Sequence, residues 1–242
     1  MTNRKGFCSF YMSKDSLKEE IEFKWNVRSP WQFKTFLKKA SDLGIKIGRP
    51  VKIPIQDTYL ETKDHFFSNS GIKCRIRRAN GRWELTMKSS SRLKRGLARR
   101  QEKNINLPGF DSKPEAIDYC ERQLLSQVLR GRKLTVLFQI KNRRTSYQMD
   151  LPQNTRTEVS FDQTVISKKG HRSKKLMEIE LEWIRGSLQE FEAFVRRISK
   201  TTDLKPSKCS KVATALKAFD LKLPYREGAG RFLLLDLVKT QR

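Results

Sequence analysis

Acidic residues and basic residues occur in this sequence as pairs whose members are two positions apart. The clearest pairs are Glu20 with Glu22, Glu178 with Glu180, and Arg75 with Arg77. Arginine and lysine neutralise phosphate oxygens, and paired carboxylates hold a hard divalent cation such as Mg²⁺ or Mn²⁺ that bridges carboxylate to phosphate. If the fold brings these pairs together, they form a site that suits a polyphosphate.

The pairs lie in short segments in which charged and apolar residues alternate strictly. In the first segment Glu20, Glu22 and Lys24 share one face, and Ile21 and Trp25 share the other. This period of two is the signature of a β-strand with one charged and one apolar face. Eight such strands are predicted, at residues 20–25, 57–61, 72–77, 83–88, 100–107, 136–144, 158–162 and 178–183.

One strand of this kind is typical of a surface hairpin, with its apolar side on the core and its charges in water. Eight together favour another arrangement, because their charged faces carry acidic pairs and basic pairs rather than a random polar mixture. If the sheet closes with its apolar faces outward beneath helices, the charges converge in a wet lumen. We therefore predict an α+β fold, in which helices flank an eight-stranded antiparallel β-barrel with a charged lumen.

Helical patterns with recognisable boundary residues interrupt the strands. A serine–proline pair at Ser29 begins the first helix, and a serine that precedes a glutamate by three positions begins two others, at Ser112 and Ser187. The four predicted helices cover residues 29–44, 112–128, 187–198 and 210–219.

No linker rich in proline, glycine or serine divides the chain, so we predict one domain over residues 17–221. Residues 1–16 are expected to be peripheral. The segment 222–242 contains an apolar run at 232–238, which is expected to dock on the barrel. No apolar run approaches the ~18 residues that span a bilayer, and residues 1–20 lack the apolar region of a secretory signal. We expect a soluble, cytoplasmic protein without membrane association.

The segment Glu20-Ile-Glu22-Phe-Lys24 resembles the ExExK signature of the CYTH superfamily, the triphosphate tunnel metalloenzymes. Further segments are similar to elements of that family and follow in the same order: residues 57–61, 73–77, 85–88, 100–102, 161–162, 178–182 and 207–211. The resemblance extends over residues 17–221. It implies an eight-stranded antiparallel tunnel in which basic residues bind a triphosphate beside a divalent metal ion, Mg²⁺ or Mn²⁺.

The same resemblance implies roles for individual side chains. The metal ligands would be Glu20, Glu22, Glu178 and Glu180, with Asp162 and Glu182 as further candidates. The triphosphate would be bound by Lys24, Arg75, Arg77, Lys88, Arg100 and Lys211, together with cations of the segment 141–144.

In that segment the register stays open. Alternation groups Lys141 with Arg143, whereas the spacing from Arg144 to Tyr147 resembles the arginine and aromatic residue of the family. One of the two arginines must then lie outside the lumen, or a bulge must shift the strand.

The implied chemistry needs no nucleophilic side chain. Cations and the metal disperse charge on the transferring phosphoryl group while a water molecule attacks in line. Lys24, Arg75 and Glu102 are the predicted catalytic residues. Glu102 would orient the water, as Glu84 also could, or it would position Arg100 through a salt bridge.

Three functions are compatible with these residues. The first is a metal-dependent triphosphatase that acts on inorganic triphosphate, a nucleoside triphosphate or an RNA 5′-triphosphate. The second is an adenylate cyclase of the class IV type, for which the sequence shows no nucleobase pocket. The third is a polyanion-binding protein without catalytic activity. The acidic pairs argue against the third, because an anion receptor has no need of carboxylates in its site.

The net charge of +26 greatly exceeds what the predicted lumen needs. Basic residues concentrate in two segments between strands, 89–99 and 167–175. These are either solvated loops or, flanking a tunnel mouth, they gather RNA or long-chain polyphosphate by counterion release. The four cysteines lie far apart and the two histidines fall outside the predicted strands, which argues against a disulfide framework and a zinc site.

Overall fold

A computed structural model describes residues 17–89 and 95–224. Eight long strands and two short ones form its sheet: β1 (Leu17–Asn26), β2 (Lys46–Ile47), β3 (Val51–Thr62), β4 (Ile72–Ala79), β5 (Arg82–Ser89), β6 (Leu97–Asn106), β7 (Leu134–Leu151), β8 (Thr155–Ser167), β9 (Lys174–Arg185) and β10 (Lys205–Pro206). The predicted segments 1–16 and 232–238 lie outside the described parts, and the domain limits remain a prediction.

The eight long strands close into an antiparallel barrel, as predicted. Their spatial order is β1-β6-β5-β4-β3-β7-β8-β9, and β9 pairs with β1 to close the ring. The short strands β2 and β10 add to β7 and β1 at the margins. The turn between β4 and β5 is Asn80-Gly81, and both residues have positive φ, 49° and 76°. This is the two-residue hairpin turn whose twist matches that of paired strands.

Six helices pack against this barrel: α1 (Pro30–Asp42), α2 (Phe66–Asn69), α3 (Lys113–Tyr119), α4 (Ser126–Leu129), α5 (Leu188–Thr201) and α6 (Lys211–Ala218). Ser112 and Ser187 accept hydrogen bonds from the backbone N–H of Glu115 and Glu190, which confirms both predicted caps. No helix in the described parts of the chain is long and apolar enough to cross a membrane.

The helix predicted over 112–128 is broken by a π-helical turn over Cys120–Leu124. The Leu125 N–H donates to the Cys120 carbonyl at 2.8 Å, a bond that spans five residues. Ala116, Cys120, Leu125 and Leu129 are all buried in one cluster. Their spacing of four, five and four residues does not fit a regular α-helix, and the wide turn places all four on one face.

The apolar faces of the strands lie outside the barrel, under the helices. Ile21, Phe23 and Trp25 of β1 pack with residues of α1 and α5, including Phe36 and Phe194. A second cluster covers β4, β5 and β6 beneath α3 and α4. The charged residues of the same strands consequently face the lumen, as the alternation predicts.

Helix α6 differs from the others because it covers one end of the barrel. Its residues Val212 and Ala215, with Phe219 just beyond them, pack with inward-facing side chains of β3, β7 and β8. Those side chains are Tyr59, Phe138, Ile140 and Ile166. The opposite end stays open, and its rim is lined by residues of the loops before β3 and between β4 and β5, such as Arg49 and Asn80.

Candidate active site in the barrel lumen

A cavity of about 930 Å³ occupies the lumen and is lined by all eight long strands and the start of α6. Acidic and basic residues alternate around it because the sheet register sets them directly opposite one another. The opposed pairs are Glu20 with Arg100, Lys24 with Glu180, Asp57 with Arg77, Lys88 with Glu102, and Arg144 with Asp162. Directly opposed residues of unlike charge stabilise neighbouring strands.

The first charged cluster surrounds Glu20. Lys88 Nζ donates to both carboxylate oxygens of Glu20 at 2.9 Å and lies 2.8 Å from Glu102. Arg100 donates to both Glu20 and Glu22. Burial opposes ionisation of Glu20, but Arg100 and Lys88 outweigh it and hold its pKa well below the usual range.

Glu102 belongs to the same cluster, but its hydrogen-bond partners are not those of Glu20. Its carboxylate contacts Lys88 and accepts from Asn104 Nδ2 at 2.8 Å. The predicted salt bridge from Glu102 to Arg100 is not among the contacts of the described residues, because Arg100 is engaged by Glu20 and Glu22.

The second cluster joins β9, β8 and the first residue of α6. Lys24 Nζ lies 2.6 Å from Glu180 and 3.1 Å from Glu22. Arg144 forms a two-point contact with Asp162 at 2.8 and 2.7 Å and also donates to Glu180. Burial favours the neutral acid at Glu180, but Lys211, Lys24 and Arg144 hold its pKa well below the usual range.

Lys211 lies at the centre of this cluster, at the start of α6. Its ammonium is 2.8 Å from Asp162 and 3.0 Å from Glu178. Burial raises the pKa of Glu178, and Lys211 only partly offsets that effect. The cap of α6, in which Ser210 accepts from the Ala213 N–H, fixes the point where Lys211 enters the lumen.

The third cluster is formed by β3 and β4. Arg77 binds Asp57 through Nε at 2.7 Å and through Nη2 at 2.9 Å, and Arg75 lies 3.4 Å from the same carboxylate. These guanidinium groups keep the pKa of Asp57 below its ordinary value despite burial. Nearby, Tyr59 stacks on Phe138 with ring centroids 4.7 Å apart, which gives it a packing role inside the barrel.

Lys73 is a further lumen residue that the sequence analysis did not select. It lies two positions before Arg75, so its parity in the segment 73–77 was the available signal, and it stands opposite Lys88 in the register. Burial, reinforced by the positive charges of Arg100, Lys24 and Lys88, lowers the pKa of Lys73 to about 7.

Glu182 closes the ring of charges nearer the open rim. It lies 2.9 Å from Lys18. Burial, and next the charge of Glu20, raise the pKa of Glu182 to about 7. Glu182 therefore changes charge near neutral pH, unlike Glu20 and Glu180.

A family model for the CYTH domain matches residues 18–216, most of the chain. The chain belongs to the CYTH family. An inorganic triphosphatase from Haemophilus influenzae is 28% identical over 155 residues, which are 64% of this chain and 43% of that protein. The match thus spans less than half the length of this relative.

Solved structures show the same CYTH fold. HpAC1 from Hippeastrum, whose description gives a dominant triphosphatase activity, superposes with a TM-score of 0.59 at 16% identity, over 86% of this chain and all of that chain. The PH1819 protein of Pyrococcus horikoshii superposes with a TM-score of 0.51 at 16% identity, over 82% of this chain and 98% of that chain.

The predicted register of β7 is resolved in favour of Arg144. Arg144 lines the lumen with Asn142 and Ser146, whereas Lys141 and Arg143 are exposed on the outer face. The prediction that Lys141 and Arg143 bind the triphosphate in the lumen is therefore wrong. Alternation misled because the inner face of β7 near α6 is apolar, through Phe138 and Ile140, and so reverses the pattern of the other strands.

The remaining predicted residues meet in one place. The lumen brings together Lys24, Arg75, Arg77, Lys88, Arg100, Arg144 and Lys211 with Glu20, Glu22, Glu102, Asp162 and Glu180. Glu178 joins them through Lys211. Their proximity matches the layout expected of a CYTH tunnel, while the role of each side chain remains a prediction.

The carboxylates of the CYTH tunnel fit a hard divalent ion by their chemistry. All are oxygen donors, and Glu22 and Glu180 approach each other closely enough to contact the same Lys24 ammonium. Among the described residues no three acidic, histidine or cysteine side chains converge as a ligand shell. Lysine and arginine groups stand between the acids instead, so metal binding requires these cations to move to another partner.

Proposed function

We propose that this protein is a divalent-metal-dependent triphosphatase, which hydrolyses a phosphoanhydride bond inside the barrel. The observation that carries this proposal is the lumen itself, a closed channel in which cations from several strands and from α6 interleave with carboxylates. A triphosphate needs several cations at once, and a purely cationic channel would not need the acids. The relative named inorganic triphosphatase supports the same activity.

Triphosphate binding would exchange the partners of the lumen charges. The guanidinium groups of Arg77 and Arg144 bind phosphate oxygens with the same two-point geometry that they now offer to Asp57 and Asp162. Arg75 can join them, and Lys24, Lys88 and Lys211 add point charges. Together these groups hold the chain of phosphates straight and stabilise charge that develops on the bridging and leaving oxygens.

Glu20, Glu22, Glu178 and Glu180, with Asp162, are the residues that would hold the metal. Mg²⁺ or Mn²⁺ supplies Lewis acidity and bridges these carboxylates to the phosphate. The carboxylates keep low pKa values at Glu20, Asp162 and Glu180, so they are ionised and ready to bind a cation at neutral pH.

Glu102 would orient the attacking water. The contacts of Glu102 favour this role over the positioning of Arg100, because Glu102 contacts Lys88 and Asn104. When phosphate draws Lys88 away, one carboxylate oxygen of Glu102 becomes available to a water molecule beside the phosphate. Glu102→Gln would then lower kcat more than it raises KM, because the amide accepts a proton from water far less readily.

Product analysis tests this proposal against its alternatives. The protein is incubated with inorganic triphosphate, ATP and 5′-triphosphorylated RNA, each with Mg²⁺, with Mn²⁺ and with excess chelator. Release of orthophosphate that stops in chelator is expected. Pyrophosphate with a cyclic nucleotide would identify an adenylate cyclase, and binding without any product would identify an anion receptor.

We also propose that a long polyanion contacts the basic segment 167–175. Lys169, Arg172, Lys174 and Lys175 of this segment are exposed. The segment lies at the end of the barrel that α6 covers, so it does not flank the open rim as expected. Residues 90–94 of the other basic segment lie outside the described parts. Binding of RNA at 167–175 would be separate from the hydrolysis of a short triphosphate.

A further inference from the structure

The inner face of β3 changes character along its length. Near α6 it carries Asp57, which binds Arg75 and Arg77. Toward the open rim it carries only aliphatic side chains, Val51, Ile53 and Ile55, all of which line the cavity. The other strands keep polar or charged residues on their inner faces at this level, such as Glu84, Asn106, Gln148 and Glu158.

Core packing does not account for these aliphatic residues. The outward-facing neighbours Lys52, Pro54 and Gln56 are exposed, so no helix covers β3 here. Val51 is 47% exposed, one of the few large apolar side chains with such exposure among the described residues. Its exposed surface faces the mouth of the cavity, where water would be displaced by a bound molecule.

The aliphatic residues form one surface with Ala79, which stands opposite Ile55 in the register of β3 and β4. We call Val51, Ile53, Ile55 and Ala79 the apolar shelf. Polar side chains border it at the rim and can form hydrogen bonds with a sugar or a heterocycle. They are Arg49, Asn80, Arg82, Asn106 and Gln148.

The apolar shelf begins where the phosphate-binding residues end. With a rise of about 3.3 Å per residue along a strand, Ile55 and Ile53 lie roughly 7 and 13 Å from Asp57. This is the span from the first phosphate of a nucleotide to its base. The cavity of about 930 Å³ also lies near the upper end of the range for sites that bury a drug-sized ligand, more room than three phosphates need.

We propose that the substrate is a nucleoside triphosphate whose base lies on the apolar shelf while its phosphates occupy the charged lumen. This inference rests on the proposed triphosphatase function and names its substrate class. An aliphatic surface accepts the face of a planar base and offers nothing to a bare phosphate chain. The shelf therefore favours a nucleotide over inorganic triphosphate.

Equilibrium binding tests the shelf without requiring turnover. Dissociation constants for ATP and for inorganic triphosphate are measured by calorimetry in Mg²⁺, for the wild type and for Val51→Asn combined with Ile53→Asn. Loss of the apolar surface weakens ATP binding about tenfold. Affinity for inorganic triphosphate stays within about twofold, because its binding residues lie deeper in the lumen.

Val136→Asn is the matched control. Val136 is 44% exposed, close to Val51, but it lies on β7 away from the cavity. We expect no change in either dissociation constant. Val51→Asn alone, at the exposed rim, provides the same comparison if the double variant does not fold, and Ile53→Leu keeps the apolar surface and should preserve ATP affinity.

The outcomes separate the two proposals. Equal weakening of ATP and inorganic triphosphate would mean that the substitutions disturb the barrel, and unchanged ATP affinity would mean that the base lies elsewhere. Either result overturns the shelf while leaving a triphosphatase intact. Conversely, a selective loss of ATP affinity in a protein that releases no orthophosphate would support the shelf and refute the proposed hydrolysis.

Discussion

Two lysines that face each other across β4 and β5 are expected to have opposite effects on stability. Lys73 and Lys88 are partners in the register and both line the lumen. Lys88 contacts Glu20 and Glu102. Lys73 lies among positive charges, and with burial these lower its pKa from 10.5 to about 7. Crowding of like charge alone predicts that removal of any lumen cation stabilises the empty protein, whereas the structure restricts that expectation to Lys73.

The size of the Lys73 effect follows from its pKa. Each unit of lowering corresponds to about 1.4 kcal/mol of destabilisation when the folded and unfolded states both carry the proton. Lys73 is partly accessible to solvent, which screens its neighbours, so we expect roughly 1 to 2 kcal/mol rather than the full amount. Lys73→Met should thus raise the melting temperature at pH 6 by about 2 to 8 °C for a chain of this size.

The pH dependence gives a second, independent test of the Lys73 prediction. Between pH 7 and 10.5 the unfolded chain holds a proton that folded Lys73 has released, so wild-type stability rises with pH. The advantage of Lys73→Met is therefore full below pH 7 and disappears by about pH 10.5. Lys88→Met leaves two buried carboxylates without this cation and should cost about 3 kcal/mol.

Thermal unfolding at pH 6 and pH 9, in buffers free of phosphate, measures both variants. The reasoning is refuted if Lys73→Met lowers the melting temperature at pH 6, or if its advantage does not shrink at pH 9. It is also refuted if Lys88→Met is as stable as the wild type.

Three further expectations concern the site and its surface. Arg144→Ala should destabilise the protein by about 3 kcal/mol and weaken triphosphate binding at least tenfold, while Arg143→Ala, on the outer face, should change neither in calorimetry and thermal unfolding. Glu180→Gln should abolish metal-dependent phosphate release, and residual turnover equal to that in chelator is the expected reading. Replacement of the lysines in the segment 167–175 should spare triphosphate hydrolysis and flatten the slope of log RNA affinity against log salt by about 0.7 to 0.9 for each phosphate that is no longer neutralised. An unchanged salt slope would leave solubility as the role of those lysines, which are Lys168, Lys169, Lys174 and Lys175.

The barrel was predictable because a period of two is a strong local signal. Each of the eight segments in which charge alternates became a strand, and the first, with Glu20 and Glu22 on one face, shows the predicted division between lumen and core. The prediction failed at β7, where Phe138 and Ile140 meet α6 inside the barrel. Alternation reports that a strand has two different faces, but tertiary contacts decide which one is buried against a helix.

The π-helical turn at Cys120 and the environment of Lys73 were beyond the sequence for the same reason. The turn is explained by where Leu125 must pack, and the pKa of Lys73 by which cations the neighbouring strands place beside it. These surroundings are set by tertiary structure rather than by adjacent residues. The parity of Lys73 with Arg75 was visible, but the barrel register was needed to show that it faces Lys88.

The register of the sheet also explains how the lumen tolerates so many buried charges. Acid stands opposite base on five pairs of neighbouring strands, so each of these carboxylates is neutralised locally and the barrel can close without a bound ion. A triphosphate that draws away Arg75, Arg77 or Arg144 uncovers carboxylates, and a divalent cation can then neutralise them. Anion and metal would therefore each create the site of the other, because both are bound by exchange of partners within one set of paired charges.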